Sequence, residues 1–397
     1  MVGTAYLTGQ LGPPVSTPDT LSVFVPSSAD KATGSVVASN SVFSPPEVMD
    51  VSRDGSWGVV VETLKARPAT GQTLDDLAPG NLLRSFDLSD VAAPRAINEI
   101  TVPTRPQSVS FNNAGDTVVV ASFQVASGLT FASIAAGRLK GSRTFPMNLP
   151  PRADLPIDGV ALAKFHPTED LVAVNLLMRN QVVFFQVRRA ADGQVSAIEP
   201  FGNPVTTNKF PLSGMFTPDG RYYITSDLMW GGDVDRFYGV KGGGVLTMIR
   251  VAQLAASEPR HAITSVTPAG WQSETIAISP DGMLLALSNL RGTFFPESFL
   301  DLHTREGSVS LYRIDAGLGS LTLLQEERFE AMLPQGLAFD PSGRQLYVGV
   351  ATYFGRSNEA DSGSVEVWNV NPDATRPLAR TSRRFPAPRG VHTIRVN

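Results

Sequence analysis

Apolar and polar residues alternate with a period of two over short stretches along most of the chain. Within residues 274–289, Ile276 and Ile278 alternate with Thr275 and Ala277 before a Ser-Pro-Asp-Gly turn and a second apolar stretch. Alternation with this period is typical of a half-buried β-strand. The glycine of such a turn takes up a left-handed conformation without strain. The pattern therefore predicts a tight β-hairpin.

The same hairpin pattern recurs along the chain. Copies begin at Glu47, Gln107, Leu212, Glu274 and Gln335, and a degenerate copy begins at Ala161. Each hairpin is followed by a third strand, often entered through glycine, and by a more polar fourth strand. Four antiparallel strands per repeat are typical of a β-propeller blade.

The spacing of the repeats gives the number of blades. We take as the anchor of each repeat the last core-facing residue before its turn: Val51, Phe111, Phe165, Phe216, Ile278 and Phe339. These anchors are roughly 50 to 60 residues apart, as in elaborated propeller repeats. A seventh copy begins at Gly390 and stops at the chain end, with Val396 as its anchor, and its partner strands are predicted at 4–10, 19–27 and 35–43.

The sequence therefore predicts an all-β fold, a seven-bladed β-propeller with four antiparallel strands per blade. The last blade is closed by N- and C-terminal strands together, from residues 1–45 and 388–397, which removes free sheet edges. Residues 1–397 then form a single domain. The alternative is two or more separate β-sandwich domains, which do not require so regular a repeat.

Composition and charge exclude several classes of function. The 397 residues are 42% hydrophobic and 18% charged with a formal net charge of −4, which is a globular composition with no electrostatic footprint for nucleic acid. Without cysteine, disulfides, zinc–thiolate sites and thiol nucleophiles are excluded. We expect no membrane partner and no signal peptide in the first ten residues, and the compartment and oligomeric state stay open.

The Ser-Pro-Asp-Gly turn at 279–282 and the Gln-Leu-Tyr-Val-Gly stretch at 345–349 carry a family resemblance. They resemble the lactonase-like, YVTN-type seven-bladed propellers, and the resemblance covers essentially the whole chain. It implies the fold first, because these motifs are structural turns and strands. It also implies an activity on sugar-acid or muconate lactones, with His and Arg side chains at the openings of inner strands.

Four connections between second and third strands are long, and they are predicted to share one face: 65–79, 229–243, 291–306 and 351–362. Long loops in a compact domain usually have a function or are disordered. Two of them combine aromatic and charged side chains, as a pocket for a partly polar ligand requires. Their candidate substrate-binding residues are Trp230, Arg236, Tyr238, Phe295 and His303. The alternative is that the aromatic rings only pack the loops together.

The residues four positions before the anchors should surround the mouth of the central channel. They are Glu47, Gln107, Ala161, Leu212, Glu274, Gln335 and His392. Because burial and converging charges move pKa values towards neutrality, this ring favours acid–base chemistry. Glu47 or Glu274 is the candidate base, His392 the acid partner and Arg389 the group that binds a substrate carboxylate, while Gln107 and Gln335 are candidate substrate-binding residues. The alternative is that these groups only hydrogen-bond water.

Two functional hypotheses follow. The first is a lactonase-like enzyme that hydrolyses or isomerises a cyclic ester or related acid at the channel mouth. The alternative is a non-catalytic propeller that binds a ligand or a protein through its long-loop rim.

No cofactor is predicted, although calcium could bind among the oxygen atoms of Glu47, Asn175, Asp227, Glu274 and Asn289. His166 is predicted in a tight turn, and His261 is predicted at the surface.

Overall fold

The computed structural model describes residues 18–26, 32–39, 47–155, 157–229, 243–299, 301–356 and 362–397. These residues form 27 strands and two three-residue 3-10 turns, Leu74–Asp76 and Val125–Ser127. None of the described residues forms a helix of the length and hydrophobicity that a membrane span would need. The fold is therefore all-β, as the alternating pattern predicts.

The strands are grouped into one two-stranded sheet, which we call the terminal sheet, and six larger antiparallel sheets, which we call blades 1 to 6. The terminal sheet pairs β1 (Asp19–Val23) with β2 (Gly34–Ser39). Blade 1 contains β3 (Met49–Val51), β4 (Trp57–Leu64), β5 (Pro79–Asp87) and β6 (Arg95–Thr101). Blade 2 contains β7 (Pro106–Phe111), β8 (Thr117–Ser122), β9 (Leu129–Ala135) and β10 (Arg138–Phe145). Blade 3 contains β11 (Val160–Phe165), β12 (Leu171–Leu176), β13 (Gln181–Arg189) and β14 (Val195–Pro200), with a short β15 (Val205–Thr206) paired to β13.

Blades 4 to 6 repeat the same order of strands. Blade 4 contains β16 (Pro211–Phe216), β17 (Tyr222–Asp227), β18 (Gly243–Arg250) and β19 (Ala262–Trp271). Blade 5 contains β20 (Ser273–Ile278), β21 (Leu284–Asn289), β22 (Glu306–Asp315) and β23 (Ser320–Glu330). Blade 6 contains β24 (Met332–Phe339), β25 (Gln345–Thr352), β26 (Gly363–Val370) and β27 (Leu378–Ala387). In each blade the first strand is innermost, and the inner strands of successive blades contact one another.

The predicted hairpin turns are confirmed. In blade 5 the Ser279 hydroxyl accepts the N–H of Leu284 at 2.9 Å and donates to Asp281 at 2.6 Å. Gly282 follows with φ of 72°. The glycines in the equivalent turns, Gly55, Gly115, Gly220 and Gly343, have φ between 69° and 73°. A side chain is strained in this left-handed region, so the turn selects glycine.

Hydrophobic clusters fill the spaces between successive sheets, and they close the ring. Five clusters join blades 1 to 6 in order; Phe131 and Val172, for example, meet between blades 2 and 3. Leu21 of the terminal sheet packs against Phe86 of blade 1. On the other side, Phe24 and Ile394 pack against blade 6. Both ends of the described chain therefore occupy the position of the seventh blade, between blade 6 and blade 1.

Charged contacts also hold the C-terminal segment, residues 391–397, against blade 1. Arg395 donates to Asp50 at 3.1 Å and to Glu47 at 2.8 Å, and Asn397 donates to the Ser52 carbonyl at 2.9 Å. Within the described residues this segment has no regular strand pairing. The predicted opening strand at 4–10 lies outside the described residues.

The prediction that His261 lies at the surface is wrong, because it is only 4% exposed. Its ring stacks on Phe184 of blade 3 with centroids 4.0 Å apart. Its Nδ1 atom accepts the N–H of Ala252, and its Nε2–H donates to the Phe201 carbonyl. The connection from β18 to β19 therefore folds inward, against blade 3.

His166 lies in a tight turn, as predicted, but it is buried, and it takes the position that Ser52, Asn112, Thr217, Ser279 and Asp340 hold in the other turns. Its Nδ1 atom accepts the N–H groups of Thr168 and Glu169, at 3.2 and 3.1 Å. Its Nε2–H donates to the Gly220 carbonyl at 3.0 Å. Burial lowers the pKa of both His166 and His261 below the ordinary value of 6.5. The neutral ring is the form that fits each site, because protonation would remove the acceptor at Nδ1.

We expect Arg395→Ala to lower the free energy of unfolding by about 3 kcal/mol, because it leaves the carboxylates of Glu47 and Asp50 with one fewer cation in a buried site. Urea unfolding measures the change. Arg188→Ala is the matched control, since Arg188 and Glu199 form a half-exposed pair worth less than about 1 kcal/mol. Equal losses in the two variants would show that the terminal ion pairs do not hold the ring closed.

The two buried histidines predict loss of stability in acid. Because their folded pKa lies below the unfolded value, the unfolded chain binds more protons, and stability falls as the pH drops below about 6.5, by up to about 1.4 kcal/mol per pH unit for each ring. Thermal midpoints measured between pH 8 and pH 5 should fall less steeply for His261→Gln than for the parent chain. Parallel curves would contradict this assignment.

Candidate active site

A backbone irregularity recurs where the inner strands begin. In five inner strands the pairing with the second strand shifts register at the position four residues before the anchor. The shifted positions hold Gln107, Ala161, Leu212, Glu274 and Gln335. A β-bulge leaves a residue outside the ladder and re-aims its side chain, and such bulges are frequent beside active sites. Five of the seven predicted ring positions therefore share a distinct local geometry.

A second irregularity lies two residues earlier in the chain. Arg105, Phe210, Gln272 and Leu333 all have φ between 51° and 62°, although none of them is glycine. The carbonyls of Arg105, Phe210 and Gln272 each accept the N–H of the first residue after the second strand of the same blade. These bonds place the loops that follow the second strands on the face where the inner strands begin. A non-glycine residue in the left-handed region costs conformational energy, and here it fixes the path by which the chain enters the inner strand.

Glu274 of blade 5 has the most unusual environment in the ring. It is 8% exposed, and its carboxylate accepts one hydrogen bond from the side-chain amide of Gln335, at 3.0 Å. Burial raises the pKa of Glu274 to about 7, against a smaller lowering by the Gln335 hydrogen bond. No salt bridge to Glu274 occurs within the described part of the chain. A carboxyl group that titrates near neutral pH can accept or deliver a proton under ordinary conditions.

Glu47 occupies the equivalent position in blade 1 and has the opposite environment. Its carboxylate accepts hydrogen bonds from Lys164 at 2.9 Å and from Arg395 at 2.8 Å, and it is 2% exposed. Asp50 accepts from Arg395 and from the N–H of Phe111. Two carboxylates and two cations therefore compensate one another along the channel wall.

This charged group was not predicted as a unit. Asp50, Lys164 and Arg395 each stand directly before an anchor, one position from the turn. The three residues therefore share one position of the repeat, three residues after the position of the predicted ring, and that shared position is the sequence signal for the group.

The remaining ring positions divide into an apolar and a polar arc. Ala161 and Leu212 pack with Leu177, Phe210 and Leu228 over blades 3 and 4. On the polar side, Gln107 donates to the Arg105 carbonyl at 3.3 Å. The ring is therefore asymmetric, with its hydrogen-bonding groups concentrated on blades 5 and 6, the C-terminal segment and blades 1 and 2.

The C-terminal segment brings His392 next to blade 6. A β-carbon added to Gly336 would lie 3.0 Å from the His392 carbonyl oxygen, so the close approach depends on that glycine. His392 is half-buried, and its Nδ1 atom lies 3.2 Å from the Thr393 hydroxyl. Arg389, also half-buried, precedes it by three residues. Gly336 follows Gln335 in the chain. Around the ring, Gln335 therefore lies between Glu274 on one side and His392 on the other.

The loop candidates have different outcomes. Trp230, Arg236 and Tyr238 lie outside the described residues. Phe295 is 2% exposed and packs with Phe294, Leu290 and other apolar residues of blades 5 and 6. His303 Nδ1–H donates to the Phe295 carbonyl at 2.7 Å. The aromatic rings of this loop therefore pack against blades 5 and 6. The bond of His303 joins two positions inside the loop, and the Thr304 hydroxyl donates to the Arg291 carbonyl between its ends.

The side chains considered for calcium near the second-strand ends make local hydrogen bonds, although the Oδ1 atom of Asn289 is buried without a partner among the described residues. Asn175 Oδ1 accepts from the Tyr223 hydroxyl at 2.9 Å. Asp227 accepts from Thr225 and Thr247, and burial raises its pKa to about 6. Asn289 donates to Ser308 and Ser310. No group of three or more acidic or histidine side chains suited to a metal ion comes together within the described ranges.

Residues 83–394 match the sequence model of a protein family that is described as "Lactonase, 7-bladed beta-propeller". No curated protein sequence matches the chain at a significant level.

Solved structures with low sequence identity share the fold. A proposed 6-phosphogluconolactonase of Bacteroides fragilis is 15% identical, with a TM-score of 0.59 over 93% of this chain and 95% of that chain. The periplasmic gluconolactonase of Pseudomonas aeruginosa is 16% identical, with a TM-score of 0.59 over 90% and 89%. A functionally unknown protein of Desulfotomaculum acetoxidans is 12% identical, with a TM-score of 0.56 over 86% of each chain.

The predicted resemblance is thereby confirmed, since the family match extends over most of the chain and the strand order is that of a propeller. The chain belongs to the lactonase family of seven-bladed β-propellers.

Proposed function

We propose that this protein is a lactone-processing enzyme whose reaction takes place at the channel mouth, on the long-loop face, with Glu274 as the general base. The observation that carries the proposal is the environment of Glu274: a buried carboxyl group at a β-bulge, bonded to an amide, with a pKa of about 7. A general base is most effective when its pKa lies near the working pH.

Hydrolysis of a cyclic ester uses these groups as follows. The Glu274 carboxylate removes a proton from a water molecule, and the water oxygen forms a bond to the ester carbonyl carbon. The ring C–O bond then breaks, and the departing alkoxide takes a proton from His392. The product is an open-chain hydroxy acid. Isomerisation of a related acid would use the same base to remove a C–H proton instead, and product analysis distinguishes the two reactions.

The other ring residues have supporting roles in this proposal. Arg389 binds a carboxylate or another negative group of the substrate, because its guanidinium offers several donors in one plane. Gln335 orients the Glu274 carboxylate, and Gln107 is available to a substrate hydroxyl. Glu47 is the weaker candidate for the base, because its charge is already compensated by Lys164 and Arg395.

The family and the fold support the class of substrate. The family name refers to lactonases, and two of the similar structures are described as a gluconolactonase and a proposed 6-phosphogluconolactonase. At 15% and 16% identity these two structures share the fold alone. A panel of sugar-acid lactones, muconate lactones and simple γ- and δ-lactones therefore tests the proposal. If the intact protein converts none of them and instead retains one of them unchanged, the non-catalytic binding alternative is favoured.

Glu274→Gln should lower kcat by about 100-fold or more on any substrate that the panel identifies, because the amide cannot accept the proton. The thermal midpoint should stay the same or rise slightly, since a buried ionisable group is removed. Glu199→Gln, in an exposed strand of blade 3, is the control and should leave kcat unchanged. Full turnover by Glu274→Gln would exclude Glu274 as the base.

The activity of the parent chain should fall as the pH drops below about 7, because protonation of Glu274 removes the base. Gln335→Met should move this acid limb to higher pH, since the lost hydrogen bond stabilised the carboxylate and had lowered its pKa. The pH dependence of kcat/KM measures both effects. Gln107→Met should leave the limb at its original pH whatever it does to KM. If the acid limb stays at the same pH in Gln335→Met, then the group whose protonation causes the limb is not Glu274.

A further inference from the structure

A second cleft lies away from the channel, between the outer parts of blades 2 and 3. Its volume is about 360 Å³, within the size range of small-molecule sites. Its walls come from β8, β9 and β10 of blade 2 and from the turn into β14 of blade 3. The polar lining residues are Thr117, Ser133, Lys140, Ser142, Arg143 and Gln194.

The strand register explains why this space is open. Ser133 pairs with Thr117 on one side and with Gly141 on the other, so three small residues form one row across the sheet. A β-carbon added to Gly141 would meet no atom within 4 Å. The pairing of β9 and β10 shifts register between Leu139 and Gly141, so Lys140 is the extra residue of a bulge. The bulge re-aims the lysine side chain at the cleft wall.

The charge of the cleft is positive. Lys140 and Arg143 both line it, and neither forms a salt bridge within the described residues. Carboxylates beside the lining residues have partners of their own: Asp170 pairs with Arg189 at 2.9 Å, Asp116 accepts hydrogen bonds from Thr117 and Asn112, and Asp192 accepts the N–H of Gln194 at 3.0 Å. Arg189 in turn donates to the Thr117 hydroxyl. Hydroxyl groups, one amide and the apolar residues Phe131, Ala132 and Val195 complete the lining.

We propose that this cleft binds the phosphate or carboxylate group of a small molecule. Lys140 and Arg143 supply the two positive charges, and Ser133, Ser142 and Gln194 supply neutral hydrogen-bond donors. Charge-assisted hydrogen bonds from Lys and Arg to such oxyanions are short and strong, and Arg matches their planar arrangement of oxygens. The volume fits a small molecule rather than a length of peptide. The site is separate from the channel and does not depend on the proposed catalytic function.

The test is a thermal-shift titration of the full chain at pH 7 and constant ionic strength. Inorganic phosphate and acetate are the two probes, and chloride is the reference. We expect phosphate or acetate to raise the thermal midpoint above the chloride value by preferential binding to the folded state. Which of the two acts at lower concentration identifies the preferred anionic group.

The double variant Lys140→Gln/Arg143→Gln should weaken binding of the active probe by about ten-fold or more, because both charges are lost. Its midpoint in chloride should match the parent chain, since both side chains are exposed. Arg138→Gln, on the same strand but outside the cleft, is the matched control and should bind as the parent does. The proposal is overturned if neither anion acts differently from chloride, or if the double variant and the control respond alike. Because the readout is thermal stability, failure here leaves the lactonase assignment untouched.

Discussion

Closure of the ring is the constraint on which the whole structure depends. Each blade has two apolar faces, and every face needs a neighbouring sheet. The five interfaces between blades 1 and 6 use residues close in the chain, whereas the remaining gap joins residues from opposite ends. There the apolar contacts of Leu21, Phe24 and Ile394 are reinforced by the ion pairs of Arg395 with Glu47 and Asp50. Without this interface, apolar surface on blades 1 and 6 would be exposed to water.

The closing contact also shapes the electrostatics of the channel. Glu47 and Glu274 occupy the same position in the repeat, but Arg395 and Lys164 compensate only Glu47. Glu274 is buried beside a neutral amide, and its pKa rises to about 7. One structural repeat thus yields two carboxylates with different properties, and the difference comes from side chains that other copies of the repeat contribute. This divergence is what makes Glu274 the stronger candidate for acid–base chemistry.

The repeated bulges connect the fold to the site. In a regular inner strand, successive side chains point to opposite faces of the blade. At a bulge one residue is left unpaired, and its side chain can point in a different direction. The left-handed residues Arg105, Phe210, Gln272 and Leu333 fix the chain two positions earlier. The same bulge therefore presents Glu274 and Gln335 as hydrogen-bonding groups in blades 5 and 6, and Ala161 and Leu212 as part of an apolar cluster in blades 3 and 4.

The sequence by itself determined the local features of this protein: hairpins, turn glycines, strand order and the ring positions. These depend on side-chain periodicity and on contacts between neighbours in the chain. Tertiary structure alone decided which glutamate is compensated, because Lys164 and Arg395 lie 117 and 348 residues from Glu47. It also decided that His261 is buried and that Phe295 packs against blades 5 and 6. Burial and the pKa values that follow from it are properties of neighbours brought together by the fold, and the period-two pattern of a single strand does not encode them.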